Sequence, residues 1–181
     1  MSKDVKREYR FLDSDDDRQA LIADLRRVRR EVINLARQMP EARWYEPRYH
    51  GWSLAAMLGH LQMMDALSLR LIQLALVGIR IPVSEETLNA FNDVMARVFR
   101  KRVVTTTLRG LEQGEDRLAD FIMRLPMDRF SRMVYDPAIS AYLTVEQAVQ
   151  ELFLYHWQDH LQTLRQAEDM LYEPPARSSE V

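Results

Sequence analysis

The chain contains no cysteine. That excludes a disulfide scaffold, a Cys-type zinc finger, an iron–sulfur cluster and a cysteine nucleophile. Glycine and proline are scarce, 5 and 7 residues in 181, about half of average usage. So few turn formers in a chain this long imply long helices and few loops, which disfavours β-sandwiches, collagen-like repeats and low-complexity disorder. An excess of one charge is missing too. The 27 acidic and 25 basic residues leave a net charge of −2, so no bulk field draws the chain to DNA or an anionic membrane. No run is long and apolar enough to span a bilayer, since the best, Ala66 to Ile81, carries Arg70, Gln73 and Arg80. The charged stretch Met1 to Glu8 has no apolar core of a secretory signal. These absences lead to the expectation of a soluble, cytoplasmic protein with no nucleic-acid or membrane partner.

What is present is helical periodicity. Apolar residues make up 47% of the chain, enough for one proper core. Asp15-Asp16-Asp17 suits a helix start, and Leu21, Ile22, Leu25, Val28, Val32, Leu35 and Ala36 recur at helical spacing until Pro40. Ser53 is a good N-cap for a second helix to about Gly78. Ser84-Glu85-Glu86 opens a further helical stretch through Val98, and the β-branched run Val103 to Thr107 suggests a break before a third long helix ending at Pro126. Met127 to Tyr142 reads as a long loop with room for a short strand. Thr144-Val145-Glu146-Gln147 is a capping box for the last helix, which runs to about Tyr172 before Pro174-Pro175. The expectation is an all-α four-helix bundle over residues 15–172, with residues 1–14 an extension and 173–181 a flexible tail.

Three of the four histidines fall on apolar helix faces. At 100° per residue, Ala56, Met64, Leu67, Leu71 and Leu74 all lie within about 40° of His60. On the last helix His156 and His160 stand one turn apart, with Val149, Leu152, Thr163 and Ala167 within about 40° of His156. One such histidine is usually a hydrogen-bonded core residue. Three buried imidazoles without partners would cost a few kcal/mol each, and a shared cation would remove that cost. His50 falls in a loop and reads as exposed. There is no His-Glu-x-x-His or Glu-x-x-His run, and no glycine-rich phosphate loop. The basic clusters at 26–30 and 100–102 lack interleaved aromatics and read as solvated helix faces.

Gly51-Trp52-Ser53, followed by His60-Leu61, resembles the opening of the second helix in the DinB-like (DinB/YfiT-like) superfamily of metalloenzymes. His156-Trp157-Gln158-Asp159-His160-Leu161 resembles the H-x-x-x-H-L segment of that superfamily, and Phe91-Asn92 sits where it often has an aromatic–Asn pair. The resemblance implies an up-down-down-up four-helix bundle that holds one divalent metal, zinc or nickel, on His60, His156 and His160. It also implies thiol-dependent transferase or isomerase chemistry with a low-molecular-weight thiol of the mycothiol, bacillithiol or glutathione type.

A metal on three imidazoles keeps open coordination positions and can activate water or a thiol. With no cysteine in the chain, any thiol must come with a small molecule. The readings are therefore a metal-dependent enzyme acting on a small-molecule substrate, as thiol transferase, isomerase or hydrolase, or a non-catalytic metal- or ligand-binding bundle. Asp159 is a candidate base or ligand support, but reads more readily as a solvated carboxylate. Trp52, Tyr155, Trp157, Tyr142 and Arg124 are candidate lining residues for a pocket mouth, with packing as the plainer role. Bundles of this kind often pair through an exposed apolar face, so a homodimer is an open option.

Overall fold

Short polar side chains set where the helices begin. The structure, a computed structural model, describes residues 7–81 and 83–169. Helices α1 (Asp15–Gln38), α2 (Leu54–Leu76) and α3 (Glu85–Phe99) are capped by Ser14, Ser53 and Ser84, each accepting an N–H of the first turn at 3.1 Å. Helix α4 (Val104–Arg124) starts at the β-branched run itself, so the break lies just ahead of that run, and Thr107 returns its hydroxyl to the Val103 carbonyl. The capping box at Thr144 and Gln147 opens one continuous rod made of α5 (Val145–Gln150), a π-helical turn (Glu151–Tyr155) and α6 (His156–Asp169). The expected end near Tyr172, the tail 173–181 and residues 1–6 lie outside the described residues.

The segment after Pro126, read as a long loop with room for a short strand, holds two short strands paired as a hairpin. Strands β1 (Met133–Asp136) and β2 (Ala141–Thr144) pair antiparallel from Met133↔Thr144 to Asp136↔Ala141. Four-residue strands carry too little periodic pattern to stand out, and the pairing gains its support from α2 and α5.

Side-chain pairs give the direction of each helix. Arg18, at the start of α1, donates to the carbonyls of Met123 and Leu125 at the end of α4, while Arg37 at the other end of α1 meets Glu112. These two helices are antiparallel. Gln62 lies against Gly110, and Gln73 and Phe121 line the same seam further along, so α2 and α4 run in parallel. Arg29 with Trp157, and Glu31 with Arg165, make α1 and α6 parallel. The bundle is therefore up-down-down-up, and α3 is the crossover that returns the chain along α2 until Phe99 meets Gly59. The core joins Leu25, Val28 and Val32 of α1 to Leu58, Leu61 and Ile72 of α2, Leu111 and Ile122 of α4, and Phe153, Trp157 and Leu164 of the last rod.

Residues 7–13 run along that rod. The Arg10 backbone exchanges two hydrogen bonds with the Gln150 amide, Leu12 N–H donates to Glu146, and the Leu12 side chain is buried.

The crossover depends on Gly59. A Cβ there would stand 2.8–2.9 Å from Phe99 side-chain atoms, a contact no relaxed core tolerates. At Gly110 the obstacle is the amide end of Gln62, which can swing aside at the loss of its hydrogen bond from Arg102. Gly59→Ala should therefore lower stability by about 1–3 kcal/mol, net of the helix propensity gained. Gly110→Ala should change stability by less than about 1 kcal/mol. Urea midpoints compare the two, and equal losses would refute the role given to Phe99.

Asp136 closes β1 and is 1% exposed; Oδ1 accepts the Ala138 N–H at 2.8 Å while Oδ2 has no partner. Burial raises the carboxyl above its usual pKa, and the nearby Glu151 is another carboxylate whose pKa burial raises. A raised native pKa means a contribution fully present below about pH 4 and lost as pH climbs through the native value. Asp136→Asn keeps the Oδ1 acceptor and cannot ionise. It should be more stable than the parent at pH 7.5 by on the order of 1 kcal/mol, the gap closing toward pH 4. Denaturant titrations at both pH values check this, and a pH-independent gap would show that ionisation of Asp136 is not the cause.

Candidate metal centre

His60 lies in the second turn of α2, and His156 and His160 occupy successive turns of α6. Their Nε2 atoms converge: His156 Nε2 is 3.2 Å from that of His60 and 3.0 Å from that of His160. A ligand atom of each of the three lies within 4.8 Å of the others. Burial pushes the His60 imidazole down to about 3, with His160 adding to the effect, and His156 and His160 are lowered chiefly for the same reason. The three rings are thus neutral near pH 7.

Neutral rings pose a problem that a cation resolves. His156 Nε2 carries either one hydrogen or one lone pair, so it can complete a hydrogen bond with one neighbour and not with both. The separations of 3.0 and 3.2 Å also approach the edge of about 3.3 Å that 2.0–2.1 Å bonds subtend at a tetrahedral ion. The donor set fits a divalent ion held on three imidazole nitrogens.

The histidines stand at the edge of the core, which corrects the expected placement. On α2 the large buried residues Leu54, Leu58, Leu61 and Ile72 lie about 100–160° round the helix from His60, while the buried Ala56 and Met57 flank it within about 60°. Leu67, expected beside His60 on an inward stripe, is 45% exposed. On α6 the core residues Trp157, Leu161 and Leu164 are displaced from His156 by a similar angle. Each histidine row therefore faces the seam between α2 and α6, with His60 buried and His156 and His160 half-buried. The misreading has a cause. Helix α2 is apolar nearly all round, so its periodicity names no single inward direction.

The π turn contributes to the placement. His156 N–H donates to the Glu151 carbonyl five residues back, so the rod gains a residue and re-phases by about 100°. Val149, expected on the histidine face, is buried in the core, and Leu152 is half-buried.

Around the imidazoles the structure sorts the other candidates. Trp52 stands edge-on to His60 with ring centroids 5.1 Å apart, presented by a turn in which His50 and Gly51 both have positive φ. His50 itself serves that turn. Trp157 is wholly buried and donates its indole N–H to Asp65, which removes it from any pocket mouth. Tyr155 packs on Tyr9 and donates its hydroxyl to the Glu8 carbonyl. Asp159 is half-buried, and both its oxygens accept from Arg7 at 2.7–2.8 Å, so it is neither the solvated carboxylate of the favoured reading nor a free base. Tyr142 lies on the hairpin beside Tyr135 under the Arg80 guanidinium, and Arg124 is exposed on α4. Phe91 is exposed on α3, and the buried Asn92 Oδ1 has no partner.

Sequence reasoning missed a second layer. Arg29, placed in a solvated cluster, is 1% exposed and stacks on Trp157 at 4.1 Å. Its Nη1 and Nη2 donate to the two Asp65 oxygens at 2.6 and 3.1 Å. The available signal was Asp65 itself, the one acid in α2 and set among apolar residues. In the π turn of the rod, the buried Glu151 accepts from Tyr9 and lies 3.9 Å from Arg7.

Comparison with known proteins bears on the fold. YfiT from Bacillus subtilis superposes on this chain with a TM-score of 0.70, covering 92% of this chain and 94% of that one at 18% identity. This chain has a DinB/YfiT-like fold. YfiT is described as a probable metal-dependent hydrolase with an unusual four-helix bundle topology. No family model matches this chain, and no curated protein does. No helix among the described residues is long and apolar enough to cross a membrane.

Proposed function

We propose that this chain is a metal-dependent enzyme that holds one divalent transition ion, zinc or nickel, on His60, His156 and His160. The observation that carries the reading is the convergence of three neutral imidazoles, one buried and two half-buried, at the seam between α2 and α6. A closed structural site takes four protein ligands, whereas three leave room for a substrate. When bound, the ion supplies Lewis acidity that brings water or a thiol to reactivity near neutral pH.

The chain's own residues do the rest by position. Arg7 holds Asp159 and so braces the turn between the two α6 histidines. Trp52 walls one side of His60. Among the described residues, Asp159 is engaged by Arg7 and Glu151 by Tyr9, so neither stands beside the histidines as a ready general base. An ion held on these three histidines would supply the activation that such a base otherwise gives, with water or a small-molecule thiol as the nucleophile. Hydrolysis is favoured by the description of YfiT, and thiol transfer or isomerisation by the resemblance of the motifs.

Elemental analysis of untagged protein never exposed to chelator tests the reading first, with an expected content near one equivalent. Hydrolysis of activated esters with and without added thiols then separates the two chemistries. A protein that takes up none of zinc, nickel, iron or manganese overturns the metal. One that holds the ion with no room for exchangeable water or thiol is a binding bundle, and the enzymatic reading fails.

A further inference from the structure

We propose that the groove between α2 and α4 is a second ligand site, one that takes an amphipathic carboxylic acid. The cavity has a volume of about 540 Å³, within the range of small-molecule pockets. It opens away from the histidines: Gln62, Leu69 and Gln73 lie about 140–180° round α2 from His60. The site therefore stands independently of the metal centre.

Its floor is apolar, formed by Leu69, Leu111, Leu118 and Phe153. Its depth comes from a missing side chain. A Cβ at Gly114 would meet nothing closer than the end of Arg117 at 3.7 Å, and the backbone there needs no positive φ. Glycine in mid-helix costs about 1 kcal/mol relative to alanine, so the hollow is kept against helix propensity.

The rim supplies the charge. Arg117 has no hydrogen-bond or ion-pair partner among the described residues, and the contact of Arg70 is to the neutral amide of Gln73. Arg124 meets Asp120 at 3.3 Å with both side chains exposed, a weak pairing. The other lining acid, Asp65, is already neutralised by Arg29. Three guanidiniums over an apolar floor match a carboxylate head on an apolar body, since guanidinium and carboxylate pair as a planar fork.

Titration calorimetry on the protein as purified, with decanoate, decanol and decyltrimethylammonium, tests the assignment. Decanoate should bind one to one and at least tenfold more tightly than the other two. Arg117→Gln should weaken it about tenfold, and Gly114→Leu, which fills the hollow, should abolish it. Metal content should be unchanged in both variants and neither should lower the melting temperature, with Gly114→Leu free to raise it by the helix propensity gained, which separates this site from the histidine centre. Equal binding of decanoate and decanol would overturn the proposal, as would full decanoate binding by Gly114→Leu. A change of oligomeric state in Gly114→Leu with no decanoate binding by the parent would also overturn it, marking the groove as a contact between copies.

Discussion

His156→Ala should abolish the proposed metal binding. His156 is the central ligand of the proposed set, the one whose Nε2 lies within 3.2 Å of both others. Losing an outer-shell partner costs roughly 10–100-fold in metal affinity. Losing the central ligand should exceed that, and the content of purified protein should fall from near one equivalent to under a tenth. The fold should persist, because His156 stands at a half-buried seam and the packing of α6 rests on Trp157, Leu161 and Leu164. Circular dichroism beside elemental analysis distinguishes metal loss from unfolding. A folded variant that keeps its full metal content would remove His156 from the site.

Asp65→Ala will be the most destabilising single change near the centre. It strands the Arg29 guanidinium, which is 1% exposed, and strips the acceptor from the Trp157 indole. Breaking a buried ion pair from one side costs about 3–5 kcal/mol. For a domain of this size that lowers the melting temperature by roughly 6–20 °C. Replacing both partners, Arg29→Met with Asp65→Leu, should recover most of the loss, because no uncompensated charge then remains. If the double variant is as unstable as Asp65→Ala, the cost lies in packing and not in the stranded charge. Metal affinity adds a second readout. Trp157 adjoins His156, so loosening it should weaken binding even in the folded fraction.

Much of this molecule follows from local pattern. Serine and threonine caps at 14, 53, 84 and 144 accept the free N–H groups of a first turn whatever lies elsewhere in the chain. Scarcity of glycine and proline left long helices as the remaining way to order the chain. The i, i+4 spacing of His156 and His160 places both rings on one face of any helix. The three candidate ligands were legible from that spacing together with the place of His60 on an apolar helix face, and the resemblance of the two motifs implies the same three.

What local pattern cannot carry is direction between helices. His60 and His156 are 96 residues apart, and their 3.2 Å approach depends on α2 and α6 packing antiparallel. The burial of Arg29 was hidden by its arginine neighbours, because a charge reads as solvated until its partner, 36 residues away, is in place. The π turn inserts a residue that no wheel of constant pitch anticipates, and it moves Val149 from the histidine face into the core. Capping and periodicity are interactions over three or four residues, so the sequence by itself determined the helices and the candidate ligands. Burial and the meeting of side chains across a seam are properties of packing, which only the tertiary structure decided.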